Sequence, residues 1–150
     1  MAKDSPSART KRLFEECGYI VGACEHVNVY AGPPHLKCQS CGKNRIGKKN
    51  DLFGIADHIV FHVDKPGVTL VQSTSGTNHS ARRVKILASE IALKWVKHPE
   101  RQIAIMSWTK KAKKKQDGTR SKVKEWSPRL EYLVLADFGK DTDANKTTTA

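Results

Sequence analysis

The sequence predicts an α/β fold in which helices flank a central mixed sheet, and three observations carry that prediction. The stretch DLFGIADHIVFHV places Ile55, Ile59, Phe61 and Val63 at the short period of a half-buried strand. Val84, Leu87, Ala88, Ile91 and Trp95 fall at i, i+3, i+4, i+7 and i+11, the stripe of an amphipathic helix. Taken along the chain, the elements come in the order helix, strand, strand, strand, helix, strand, strand, which interleaves the two kinds as an α/β layer does.

Each element has its own signal. Ser5-Pro6 reads as an N-cap and first helical residue and Gly18 as the stop, with Leu13, Phe14 and Cys17 as the apolar stripe between. Tyr19 to Cys24 is a short apolar run and hence a strand. Residues 30–50, rich in Gly, Pro and Lys, read as a long loop or small insertion. The strand ending near Val63 meets turn chemistry at Asp64-Lys65-Pro66-Gly67, and Val68 to Ser73 makes the second strand of a hairpin. A polar segment, 74–80, precedes the helix, which His98-Pro99 ends. Gln102 to Trp108 and Arg129 to Leu135 are the last strands. The expected organisation is one domain over 1–138, with the insertion at about 30–50, a basic hairpin at about 109–125, and a disordered tail over 139–150.

Composition narrows the function. Lys and Arg number 27 against 15 Asp and Glu, a formal charge of +12. Such a surface expects a polyanion, nucleic acid above all. No run approaches the roughly 18–20 apolar residues of a membrane span, so no membrane partner is expected. MAKDSPSARTKR lacks the apolar core of a secretion signal, and the four cysteines do not form a disulfide framework; a cytoplasmic protein is expected.

Asp57 lies near the start of one predicted strand, while Gln72 and Thr74 lie two apart on the next and share a face. An acid on one strand beside an acid-x-lysine pair on its neighbour is how a Mg²⁺-dependent nuclease holds metal, water and scissile phosphate. The stretch IADHIVFHVDKPGVTLVQSTS resembles the hairpin of the PD-(D/E)XK nuclease superfamily, in particular archaeal-type Holliday junction resolvases and their phage relatives. Ala56-Asp57 matches the PD element and Gln72-Ser73-Thr74 occupies the (D/E)XK element. DLFGIAD, VQSTSGTNHSARRVKI and IMSW look like a group of small phage-encoded proteins of that superfamily, and the resemblance covers roughly Thr10 to Trp108.

The resemblance implies a restriction-endonuclease-like αβββαβ core and a structure-selective endonuclease, a Holliday junction resolvase of phage type, in the host-cell cytoplasm. It implies Mg²⁺ or Mn²⁺ held by Asp57 and Gln72, branched DNA as substrate, and a twofold homodimer, since a resolvase cuts two strands symmetrically. Two positions depart from the pattern. Gln72 offers a neutral carbonyl in place of an acid, and Thr74 cannot replace an ammonium. Arg82 or Lys85, from the helix start SARRVKI, is expected to bring a cation back to the same pocket. The alternative is a catalytically inactive protein of the same fold that binds nucleic acid or a partner protein.

Two further constellations stand out. Cys38-Gln39-Ser40-Cys41-Gly42 has the spacing of half a zinc knuckle, with Cys24, His26 or His35 available to complete it as a structural Zn²⁺ site; the alternative is ordinary reduced thiols. The segment TKKAKKKQDGTRSKVK brings together Lys110, Lys111, Lys113, Lys114 and Lys115 on a hairpin turned by Gln116-Asp117-Gly118. With Lys43, Arg45, Lys48, Lys49, Arg82 and Arg83, these residues form the expected DNA-binding surface. Trp108 and Trp126, at the base of the hairpin, are expected in the core, His58 and His62 as surface or packing residues, and Asp51 as a strand cap, with a second acid of the site as the alternative.

Overall fold

The computed structural model describes residues 4–24, 26–31 and 45–139. A five-stranded mixed sheet runs through the molecule in the order β1-β4-β5-β6-β7. Its strands are β1 (Ile20–Ala23), β4 (His58–Phe61), β5 (Val68–Ser75), β6 (Arg101–Lys114) and β7 (Arg120–Leu133). All neighbours are antiparallel except β5 and β6, which run parallel and are joined by a helical crossover. Helix α1 (Pro6–Glu16) covers one face, and α2 (His79–Leu87) with α3 (Glu90–Val96) covers the other. No described helix is long and apolar enough to cross a membrane.

Helix α1 is bounded as its sequence predicts. The Ser5 hydroxyl accepts from the Ala8 amide at 3.1 Å, Pro6 opens the helix, and Gly18 takes the left-handed φ of +84° that closes it. The Tyr19 and Gly18 amides donate back to the Phe14 and Glu15 carbonyls, and Phe14 meets Tyr19 edge-on at 5.4 Å, the contact that accompanies this cap. The buried residues are Thr10 and Phe14, whereas Cys17 is exposed, so the stripe sits further round the helix than Leu13 and Cys17 suggest. Thr10 is satisfied twice over: its hydroxyl donates to the Pro6 carbonyl and accepts from the Trp108 indole.

Four expectations need correction. Strand β4 buries His58 and Val60, while Phe61 and Val63 are 39% and 70% exposed. The alternation had the wrong phase because the sheet is covered on both faces, so Ile59 packs on the α2 side and Val60 on the α1 side. The single helix over 84–95 is two, since Ser89 leaves helical geometry and caps α3 by accepting from the Ala92 amide at 3.3 Å. Val84 and Ile91 are accordingly 61% and 46% exposed. The last two strands are longer than expected, fourteen residues each, because they continue through the basic segment as one ribbon. Finally, the region expected as a loop or insertion ends in a strand, β3 (Arg45–Asn50), whose backbone pairs antiparallel with β2 (His26–Ala31) in a sheet of their own.

Candidate functional site

The chain enters the sheet centre through a tight reversal at Leu52–Ile55. Its two central residues, Phe53 and Gly54, have φ of +53° and +72°, and the Ile55 amide donates to the Leu52 carbonyl at 3.0 Å. That is the geometry of a two-residue hairpin turn, unusual only in placing a bulky Phe where Asn or Gly is favoured. The turn delivers Asp57 to the end of β4, where its amide donates to the Val71 carbonyl and its carbonyl accepts from the Cys24 amide. Asp57 is thereby fixed between β1 and β5.

The hairpin does bring Asp57 and Gln72 together, but not as two oxygen donors. Asp57, 6% exposed, accepts at Oδ2 from Gln72 Nε2 and from the Ser73 amide, both at 2.9 Å. Gln72 Nε2 also lies 3.3 Å from the Ser73 carbonyl. A carboxylate at this depth needs donors, and the glutamine amide serves. Turning that amide over would set two oxygens 2.9 Å apart, a repulsion that only a cation would relieve. As arranged, the donor set does not fit a divalent cation. Among the described residues no group of three His, Cys, Asp or Glu is placed to hold a metal ion.

Thr74 is buried on the same face as Gln72, level with Ser107 of β6. Of the cations expected to replace its missing lysine, Arg82 meets an acid and Lys85 faces solvent. Arg82 Nη1 lies 4.0 Å from Oδ2 of Asp51, the residue that follows β3. Lys85 is exposed and makes no ion pair or side-chain hydrogen bond among the described residues. Arg83, expected on the DNA surface, is held inward: Nε donates to Glu131 Oε1 at 2.9 Å and Nη2 to Asp137 Oδ1 at 3.3 Å.

That last contact belongs to a network the sequence did not reveal. His79, the first residue of α2 and 2% exposed, contacts Ser107 Oγ through Nδ1 at 2.8 Å and Glu131 Oε2 through Nε2 at 2.5 Å. Burial would raise the Glu131 carboxyl, but hydrogen bonds from His79 and Arg83 overcome it and hold the group below its ordinary range. A carboxylate there requires Nε2–H to donate, and Nδ1 shares the second hydrogen bond with the Ser107 hydroxyl. Ser, His and Glu in a row have the composition of a hydrolase triad. Ser107, however, is 1% exposed, and a nucleophile has to be reached. The network fastens α2 to β6 and β7.

The basic segment is a two-stranded arm. Beyond Trp108 the β6–β7 ladder continues through Lys111↔Glu125 and Ala112↔Lys124, shifts register, and resumes at Lys114↔Arg120. Gly118 (φ +81°) turns the tip, and Asp117 accepts from the Thr119 amide and hydroxyl at 2.9 and 2.6 Å, bonds that hold its carboxyl below the ordinary range. All residues from Thr109 to Arg120 are exposed. Lys110, Lys111, Lys113, Lys114, Lys115, Arg120, Lys122 and Lys124 make no ion pair among the described residues. Lys111, Lys114 and Arg120 share one hollow of about 330 Å³. Trp108 is 7% exposed, as expected of a core residue, but Trp126 is 41% exposed.

The remaining candidates are only partly described. Cys38, Cys41, His35 and Lys43, and the tail beyond Gly139, lie outside the described residues, and of His26, Arg45, Lys48 and Lys49 the backbone alone is placed. Burial raises the Cys24 thiol above its ordinary value, against a smaller opposing effect of a hydrogen bond with the Ile59 backbone. His58 is buried and meets Ser7 Oγ at 2.9 Å, and His62 stacks edge-on against Tyr19, both packing roles. Comparison of the chain with protein-family models, curated proteins and solved structures finds no match.

Proposed function

We propose that the protein binds nucleic acid through the β6–β7 arm. The observation that carries this reading is the exposure of every cation on the ribbon, with none neutralised by a described carboxylate. Six residues of ribbon beyond the sheet extend about 20 Å, and a two-stranded ribbon is of a size the DNA major groove admits. Lysines along it would neutralise phosphates without reading sequence. Fluorescence anisotropy of labelled duplex and four-way junction, titrated at several salt concentrations, tests this. Affinity should fall linearly on logarithmic axes, by about 0.9 per phosphate contact. Absence of binding, or binding indifferent to salt, overturns it.

The meeting of Asp57 and Gln72 on adjacent strands favours a second reading, a metal-dependent endonuclease of the PD-(D/E)XK type. It takes the sheet and crossover as a restriction-endonuclease-like core, acting as a homodimer on branched DNA. It requires Gln72 to turn its amide and present oxygen to Mg²⁺ or Mn²⁺, and Arg82 or Lys85 to move to Thr74. Incubation of the protein with either ion and a labelled junction, beside linear duplex, decides it. Cleavage that Asp57→Asn abolishes, with DNA affinity kept, supports the enzyme. Binding without cleavage leaves the catalytically inactive fold.

A further inference from the structure

The root of the arm carries a feature that its lysines do not explain. Trp126 stands on β7 directly across from Lys110, on the α1 side of the sheet. From α1, Arg9 lays its guanidinium carbon 3.6 Å from the centre of the Trp126 ring, and the Lys110 ammonium lies at 5.0 Å. Arg9 Nη2 also donates to the Asp4 carbonyl. Between α1 and the arm these groups leave an open cleft of about 280 Å³, lined by Arg9, Arg12, Trp108, Trp126 and the acidic residues Asp4 and Glu16.

The chemistry of the cleft differs from that of the arm. Arg12 is already paired with Asp4 at 3.0 Å and Glu16 balances Arg9, so the lining carries no net charge and a phosphate entering here gains no net attraction. A flat ring carrying amino groups suits it better. The exposed indole and the guanidinium plane offer stacking surfaces, and carboxylates accept from ring and exocyclic N–H groups. Lys110 and the arm beyond it remain to take the flanking phosphates. Both stacking groups are held in place before any ligand arrives, which reduces the ordering cost of binding.

We propose that this cleft holds one unpaired nucleobase, so that the protein distinguishes nucleic acid with unstacked bases from fully paired duplex. The inference rests on the nucleic-acid reading of the arm and adds a ligand preference to it.

The test compares a labelled single-stranded oligonucleotide with a blunt, fully paired duplex of equal length, at one salt concentration. Trp126→Ala should weaken single-strand binding by about 5- to 150-fold, the range expected for one stacked base, and change duplex binding by less than about twofold. Trp126→Phe, which keeps an aromatic face, should recover most of the loss. Replacing Lys113, Lys114 and Lys115 with alanine should weaken both ligands together. If Trp126→Ala proves unfolded, Arg9→Ala removes the stacked guanidinium without touching the sheet and should show the same selectivity. Equal losses on the two ligands, or none, overturn the nucleobase site while leaving the arm's role intact. Failure of the wild-type protein to bind either ligand overturns both.

Discussion

Strand β6 is two environments on one backbone. Ile103 to Trp108 are all buried, and the next six residues, Thr109 to Lys114, are all exposed. Both halves pair with β7. In the inner half, helices cover both faces and polar side chains are bound to one another: Ser107 to His79, His79 to Glu131, Asp57 to Gln72 nearby. In the outer half Arg9 of α1 reaches the ribbon at Trp126, and the ribbon's lysines have no described carboxylate partner. An isolated two-stranded hairpin is marginal in water, so the buried half anchors the exposed one. The inner strands carry stability, and the arm is left to carry charge.

That division can be broken most severely at His79. Alanine there strips Ser107 of its partner and Glu131 of a donor and opens a small cavity, so stability should fall by about 3 kcal/mol, read from the urea midpoint. A loss below about 0.5 kcal/mol would place the network among surface contacts. Asp57→Asn comes next. The amide keeps one oxygen for the two N–H donors but loses the charge that strengthens both bonds and buries N–H groups of its own, costing about 2 kcal/mol in thermal or chemical unfolding, whether or not the protein cleaves DNA.

Glu131 gives a smaller, pH-dependent effect. Because folding holds its carboxyl below the ordinary range, the unfolded chain binds more protons in acid. Its contribution is complete above the usual glutamate pKa of about 4–5 and drains away as pH falls through the lowered folded value. Glu131→Gln should flatten the stability profile in that acid window; an unaltered profile would show that the slope arises elsewhere. The smallest stability effect belongs to the arm. Replacing Lys113, Lys114 and Lys115 with alanine should move the unfolding midpoint by no more than about 0.5 kcal/mol, since exposed side chains bury little. The same variant should reduce the salt slope of DNA binding by about 2–3 if all three meet phosphate. An unchanged slope would make the run a solvated face, and the binding surface would then lie elsewhere.

Some of the candidate site was legible and some was not. The approach of Asp57 to Gln72 followed from the hairpin turn, because antiparallel register sets which residues stand opposite. Which end of the Gln72 amide faces Asp57 did not follow, since that depends on the donors available at the carboxylate. The Arg82 and Arg83 positions were on the expected helix, yet their partners Asp51, Glu131 and Asp137 come from distant segments. His79 gave no signal at all. One histidine before a helix looks the same whether it is solvated or clamped between two strands.

By itself the sequence determined what is local or additive. The Ser5 cap and Gly18 stop of α1, the Pro-Gly and Asp-Gly turns, the order of most elements and the +12 charge all follow from backbone preferences and counting. The tertiary structure decided which faces are dry. Covering the sheet on both sides removed the meaning of alternation in β4, capping by Ser89 split a continuous apolar stripe into two helices, and the end of the helical cover at Trp108 left Trp126 and the lysines in water. Burial is a property of what packs against a residue, and that partner is set by the fold as a whole rather than by the neighbours in the chain.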